Sequence, residues 1–332
     1  MEVFPSFRRS SFLFITSPLF QTPPSAVTVA CQAMATRFEF VIYGRDAATA
    51  RAAGEEAIQE IERLEDQLSL YRPRSEIAYV NARAAGEAVR VSPALFALLM
   101  QARSLYEETK GAFDITVAPL VRCWGFMGGT RRIPTGEELA EARSRVGMDL
   151  VHLNPECSTV RFARQGVMLD LGAIGKGYAI DRAAEVLRDG GITNALVHGG
   201  TSSAYGIGHP PEGDSWQIAI EDPRGKTALS SPAAVTTISL RDEALSVSSL
   251  SEKFFLEDGK TYGHVLDPRT GQPTTAGLLS AVVLPSATET DALSTALLTM
   301  GEEGQEHIGR LRPGIRTLLV TSSGIQTTGF RL

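Results

Sequence analysis

Three segments of the chain carry side chains that could do chemistry together. Residues 168–178 read Met-Leu-Asp-Leu-Gly-Ala-Ile-Gly-Lys-Gly-Tyr, which sets Gly172, Gly175 and Gly177 around Lys176. Glycines let a backbone approach a ligand closely, and amide groups at a helix start favour anions. A lysine there adds a point charge suited to phosphate. The Walker A pattern and the GxGxxG dinucleotide spacing are both absent, and a plain tight turn satisfies the same residues. The second segment is His264-Val-Leu-Asp-Pro-Arg-Thr-Gly271, in which Asp267 before Pro268 starts a turn. His264 falls on an expected strand just before it, either as a proton carrier or as a structural histidine. In the third segment Asp291 and Thr295 are four apart and share one helix face near its start. They read either as helix caps or as two oxygen ligands for a hard cation such as magnesium.

The elements that must position these groups alternate between two textures. Residues 26–43 suggest two strands interrupted at Met34-Ala35-Thr36. A helix follows, with Ala57, Ile61, Leu64 and Leu68 on one face. A second is capped by Ser92-Pro93, buries Leu95, Leu98, Ala102 and Leu105, and ends by Gly111. Thr135 and Glu138 match a capping box that opens a third. Short strands are expected over 151–153, 160–162 and 167–171, then a helix over 178–188 ended by Gly190-Gly191. Strands and glycine turns fill 195–240, a helix covers 291–300, and a strand lies near 316–320. Without regular βαβ alternation the class is α+β.

Composition excludes several functions. The 332 residues carry 32 Lys and Arg against 38 Asp and Glu, a net charge of −6, without basic blocks. That balance argues against nucleic acid as a partner. No apolar run reaches the length of about 18 residues that a transmembrane helix needs. Cys31, Cys123 and Cys157 are odd in number and far apart, so neither a disulfide framework nor a zinc site is expected. Residues 1–25 read as a disordered leader or a degenerate export signal, with two arginines and a short apolar run broken by Pro18. Cys31 could follow a lipoprotein cleavage site, but its surroundings also read as a strand. The compartment therefore stays open between cytoplasm and cell envelope. Residues 26–332 are expected to form one domain.

Set in order, these segments resemble the FAD:protein FMN transferases, the ApbE family. The likeness runs from about residue 33 to residue 301. It takes in Met34-Ala35-Thr36, Tyr71-Arg-Pro-Arg-Ser75-Glu76-Ile77 with Asn81, and Gly111-Ala-Phe-Asp114 with Pro119 and Trp124-Gly-Phe126. It continues through residues 170–178 with Asp181, then 216–223, 264–271 and 291–295. The resemblance implies an ApbE-type, T-fold-like arrangement of mixed sheets with packed helices. It also implies Mg2+-dependent cleavage of FAD, with FMN passing to a threonine hydroxyl of an acceptor flavoprotein and AMP leaving. By the same likeness FAD is held at Met34, Tyr71, Ala112, Phe113, Asp114, Asp170, Lys176 and the strand at His264 and Val265. Magnesium is held by Asp291, Thr295 and the main-chain carbonyl of Ala173. His264 would take or relay the proton of the acceptor threonine, within a motif such as Asp-Gly/Ser-Ala/Ser-Thr. Departures from the family pattern stand at Thr201, at Ser248-Ser-Leu-Ser-Glu252 and at Gly263. An FAD pyrophosphatase, or an FAD-binding protein without catalysis, would use the same residues.

Overall fold

The computed structural model describes residues 26–44, 46–225, 234–250 and 254–330. The leader expected over 1–25 lies outside them. A hairpin of β1 (Ala26–Ala33) and β2 (Thr36–Tyr43) leads into helices α1 (Ala47–Leu68) and α2 (Glu76–Arg83). Strand β3 (Val89–Arg90) precedes α3 (Pro93–Glu108), α4 (Ala118–Cys123) and α5 (Gly136–Arg143), and β4 (Val151–Asn154) and β5 (Thr159–Phe162) follow. After α6 (Gly175–Asp189) come β6 (Asn194–Gly199), β7 (Ser203–Ile207), β8 (Trp216–Glu221), β9 (Ala234–Leu240) and β10 (Glu243–Ser249). The chain ends through β11 (Phe254–Glu257), β12 (Lys260–Gly263), β13 (Leu279–Leu284), α7 (Ala287–Met300), α8 (Glu302–Ile308), β14 (Arg316–Val320) and β15 (Ile325–Thr328).

One eight-stranded sheet, ordered β1-β2-β6-β7-β10-β13-β14-β15, is antiparallel at every pairing. The period of two sends Val282 and Leu284 to one face and Ala281 and Val283 to the other, and all four are buried. The first face packs against α1, α6 and α7. The hairpin β8-β9 covers the second with Trp216, Ile218, Ile220, Ile238 and Leu240. With both faces covered, the sheet backs α6 and α7. Among the described residues no helix is long and apolar enough to cross a membrane.

Helix starts follow local chemistry. Thr135 and Glu138 form the expected capping box, and Ser92 accepts from the Leu95 amide at 3.3 Å. The apolar stripes of α1 and α3 are buried as their spacing requires. Helix α7 is different, because it is buried almost all round while carrying many hydroxyls. Those hydroxyls are paired: Ser246 with Thr290 at 2.9 Å, Ser248 with Ser294 at 2.9 Å, and Ser280 donating to the Ser294 carbonyl at 2.6 Å. Unpaired, each would cost about 1–3 kcal/mol of desolvation, so the seam also fixes the register of α7 on the sheet.

Candidate active site

The expected strand over 167–171 is not formed, and these residues join no sheet. Asn81 on α2 takes the place of a neighbouring strand: its Nδ2 donates to the Leu169 carbonyl at 2.9 Å and its Oδ1 accepts from the Leu169 amide at 2.8 Å. The Asp170 amide donates to the Ile115 carbonyl at 2.7 Å. A side-chain amide thus satisfies backbone that a ladder would otherwise serve. The chain then turns, with the Gly172 amide donating to Asp170 Oδ1 at 2.8 Å, and α6 begins at Gly175 rather than at the expected residue 178.

The glycine loop is not an open cradle of amides. The Ile174 and Gly175 amides donate to the Leu171 carbonyl, and the Gly177 amide donates to Asp291 Oδ2 at 3.0 Å. Attraction for an anion here therefore rests mainly on the ammonium of Lys176. That ammonium lies 3.4 Å from the Gly172 carbonyl oxygen and 3.5 Å from Asp291 Oδ1. Gly177 has a packing reason: a Cβ there would stand 2.8 Å from the Asp291 Cβ and closer still to the Ala287 carbonyl.

Helix α7 starts at Ala287, four residues before the expected 291, because Ser286 caps it by accepting from the Glu289 amide at 3.3 Å. Asp291 therefore sits in the second turn and cannot cap its own helix, which removes that reading. It caps α6 instead. Only 4% exposed, its carboxylate needs such partners to offset its desolvation. Thr295 lies one turn on, its Oγ1 3.3 Å from the Asp291 carbonyl and 3.3 Å from Ser248 Oγ.

The donor set suits a hard cation. Among the described residues no group of three or more His, Cys, Asp or Glu side chains gathers to hold a metal. One carboxylate, a hydroxyl and the Ala173 carbonyl in the loop offer oxygen alone, and magnesium commonly uses one or two carboxylates while keeping waters or substrate phosphates. The Lys176 ammonium, resting between a carboxylate and a loop carbonyl, already marks the place as favourable to positive charge.

The other expected residues are held by contacts of their own. Met34 and Ala35 form the β1-β2 turn with φ of 50° and 60°, left-handed values that cost a non-glycine residue about 1–2 kcal/mol each. The Met34 amide donates to Glu65 Oε1 at 2.8 Å, and Glu65 pairs with Arg72, the neighbour of Tyr71. Tyr71 is 69% exposed, and its phenol is raised above its ordinary range by partial desolvation first and by the charge of Asp170 second. Ala112, Phe113 and Asp114 are buried, and Ile115 ties them to Asp170. Burial pushes Asp114 up to about 6, against the pull of two bonds from Thr116.

His264 is not on a strand, since β12 ends at Gly263 and the chain bends there. The bend lets Leu266 bridge to Pro273 and the Thr274 amide reach the Val265 carbonyl at 2.9 Å. The Thr274 hydroxyl in turn meets the Leu298 carbonyl on α7 at 3.4 Å, and buried Trp124 donates to the Gly271 carbonyl at 2.8 Å. His264 and Val265 are thereby anchored to the same helix that carries Thr295. What the sequence reading missed is the work of Asn81 and Asp181, both noted only as parts of a motif. For Asp181 a signal existed: it follows Gly177 by four residues, one helical turn.

The fold and site define an α+β protein in which a lysine-bearing glycine loop faces a buried carboxylate on a neighbouring helix. The ApbE family model matches residues 34–319. The FAD:protein FMN transferase of Treponema pallidum is 34% identical over 292 residues, which is 83% of this chain and 79% of that protein. That of Vibrio cholerae is 35% identical over 247 residues, 73% and 72% of the two chains. Among solved structures, the ApbE protein of Thermotoga maritima superposes with a TM-score of 0.82 at 30% identity, covering 91% of this chain and 97% of that one. The flavin transferase ApbE of Vibrio cholerae gives 0.79 at 27% identity, with the same coverage. The chain belongs to the ApbE family, and its mixed helices and antiparallel sheets are the fold of those structures.

Proposed function

We propose that the chain is an FAD:protein FMN transferase, moving FMN from FAD to a threonine hydroxyl of an acceptor flavoprotein with magnesium and releasing AMP. The observation that carries this reading is the buried Asp291 carboxylate, shared between Lys176 and the first turn of α6. A pyrophosphate that enters the loop meets Lys176, whose charge screens the phosphates from an incoming oxygen. Tyr71, Asp170 and the 112–114 segment are assigned to holding FAD. His264 takes the threonine proton, directly or by relay, as imidazole can near neutral pH. The threonine oxygen then forms a bond to the FMN phosphorus, and the bond from that phosphorus to the bridging oxygen breaks. AMP departs with the bridging oxygen and its electron pair. Magnesium, when bound by Asp291, Thr295 and the Ala173 carbonyl, supplies charge that offsets what builds on the phosphates.

The test is to incubate the protein with FAD and magnesium, with and without an acceptor carrying the threonine motif, and to weigh the products. An acceptor heavier by one FMN, with AMP released in equal amount, is expected. Asp291→Asn should lose most transfer at low magnesium and regain part of it as magnesium rises. Free FMN and AMP with an unmodified acceptor would make the chain a pyrophosphatase, and FAD bound but uncleaved would make it a flavin-binding protein.

A further inference from the structure

Helices α6 and α7 cap each other. In one direction the Gly177 amide of α6 donates to Asp291 on α7. In the other, Asp181 on α6 accepts four bonds from the start of α7. Its Oδ1 takes the Ala287 amide at 2.7 Å, and its Oδ2 takes the Thr288 amide at 2.9 Å, the Thr288 hydroxyl at 2.6 Å and the Ser286 hydroxyl at 2.9 Å. The spacing is the same on both sides: Gly177 to Asp181 and Ala287 to Asp291 are each four residues, one turn. Each helix thus offers a first-turn amide and, one turn on, a carboxylate for the other.

The two carboxylates do not have equal freedom. First-turn amides lack partners within their own helix, and a carboxylate beside them is further favoured by the helix dipole. Asp291 is also the group assigned to the cation, and an oxygen turned toward a cation holds the Gly177 amide less well. Asp181 has no second duty of that kind, and four bonds commit both of its oxygens to α7. We infer that Asp181 is a positioning residue: it keeps α7 in register against the glycine loop, so that Asp291 and Thr295 stay aimed at the cation while Asp291 loosens from α6. The inference rests on the cation reading of Asp291 and extends it to a residue whose two oxygens are committed to the start of α7.

The test uses Mn2+ in place of magnesium, titrated by electron paramagnetic resonance against the full chain with FAD present. Asp181→Asn keeps the shape but puts an NH2 group where an oxygen accepts, and it should weaken Mn2+ binding about tenfold, as the loss of a partner behind a metal ligand does. Thr288→Val removes one of the four bonds and should fall between wild type and Asp181→Asn. In turnover assays both should need more magnesium, with kcat restored at saturation and KM for FAD unchanged. Lower melting temperatures with wild-type Mn2+ affinity in both variants would overturn the proposal and leave Asp181 a mere stabiliser. Should Asp181→Asn fail to fold, Thr288→Val decides by the same criterion. Asp291→Asn separates the two layers: if it leaves Mn2+ binding unchanged, the cation reading falls and this proposal with it. If it abolishes binding while the other two variants bind normally, only the proposal falls.

Discussion

Asp114 offers a test in which stability and function are expected to move in opposite directions. The residue is 6% exposed, and its Oδ1 accepts from the Thr116 amide at 2.7 Å and the Thr116 hydroxyl at 2.6 Å. Burial nevertheless raises its pKa from 3.8 to about 6, with the charge of Asp149 adding to the rise. A shift of roughly two units at 1.36 kcal/mol each means that the ionised carboxylate costs the folded state up to about 3 kcal/mol. The folded pKa lies above the unfolded one, so the stabilising contribution is whole below about pH 4, is lost between about pH 4 and 6, and changes no further above that. Asn at this position keeps an oxygen for Thr116 and carries no charge. Asp114→Asn should therefore match wild type near pH 3.5 and exceed it above pH 6. With about 2 cal/mol/K of unfolding entropy per residue, 3 kcal/mol corresponds to about 5 °C in a chain of this size. Thermal melts from pH 3.5 to 8, with FAD affinity measured at pH 8, check both halves. A variant no more stable than wild type at pH 8, or one whose advantage persists at pH 3.5, would refute the burial argument. Weaker FAD binding beside the gain in stability would identify the ionised carboxylate as strain kept for the ligand.

Three further outcomes follow from the same geometry. Lys176→Met should weaken FAD binding, and by a smaller factor at high salt, because the Gly172, Ile174, Gly175 and Gly177 amides are occupied and the ammonium carries the attraction; unchanged affinity at low salt would count against it. His264→Asn should lower kcat with little change in FAD affinity, a loss confined to the transition state, and mainly weaker FAD binding would move His264 to a flavin-contacting role. Gly177→Ala should cost about 3 kcal/mol, read as the shift of a denaturant midpoint, since a Cβ there has no room between α6 and α7.

How much of this was legible in the sequence depended on the range of the interaction that decides each element. Where neighbours in the chain decide, the reading held: Thr135 with Glu138, Ser92 before Pro93, and the stripes of α1 and α3 all act within a turn or two. Short helices were not seen, because α2, α4 and α8, at 8, 6 and 7 residues, are too brief for a periodic pattern. Residues 167–171 have the composition of a strand, yet Asn81, 88 positions from Leu169, meets both backbone bonds of that residue. Propensity reports that such a segment will be extended. It has no access to what the backbone will pair with.

The site divides along the same line, and α7 shows why. The pairing of Asp291 with Thr295 is a property of one helix, so a spacing of four suffices to place both on one face. The start of that helix is set elsewhere. Ser286 caps it locally, but its next two amides are met by Asp181, more than 100 residues earlier in the chain. Reading Asp291 as a first-turn residue was the natural error, since carboxylates are common there. The structure moves it one turn inward and makes it a cap for a different helix. A buried carboxylate committed to another helix's amide and to a lysine, rather than to its own first turn, is held in place by the tertiary fold. On the proposed cation reading, such a group meets its ion with α7 already in place.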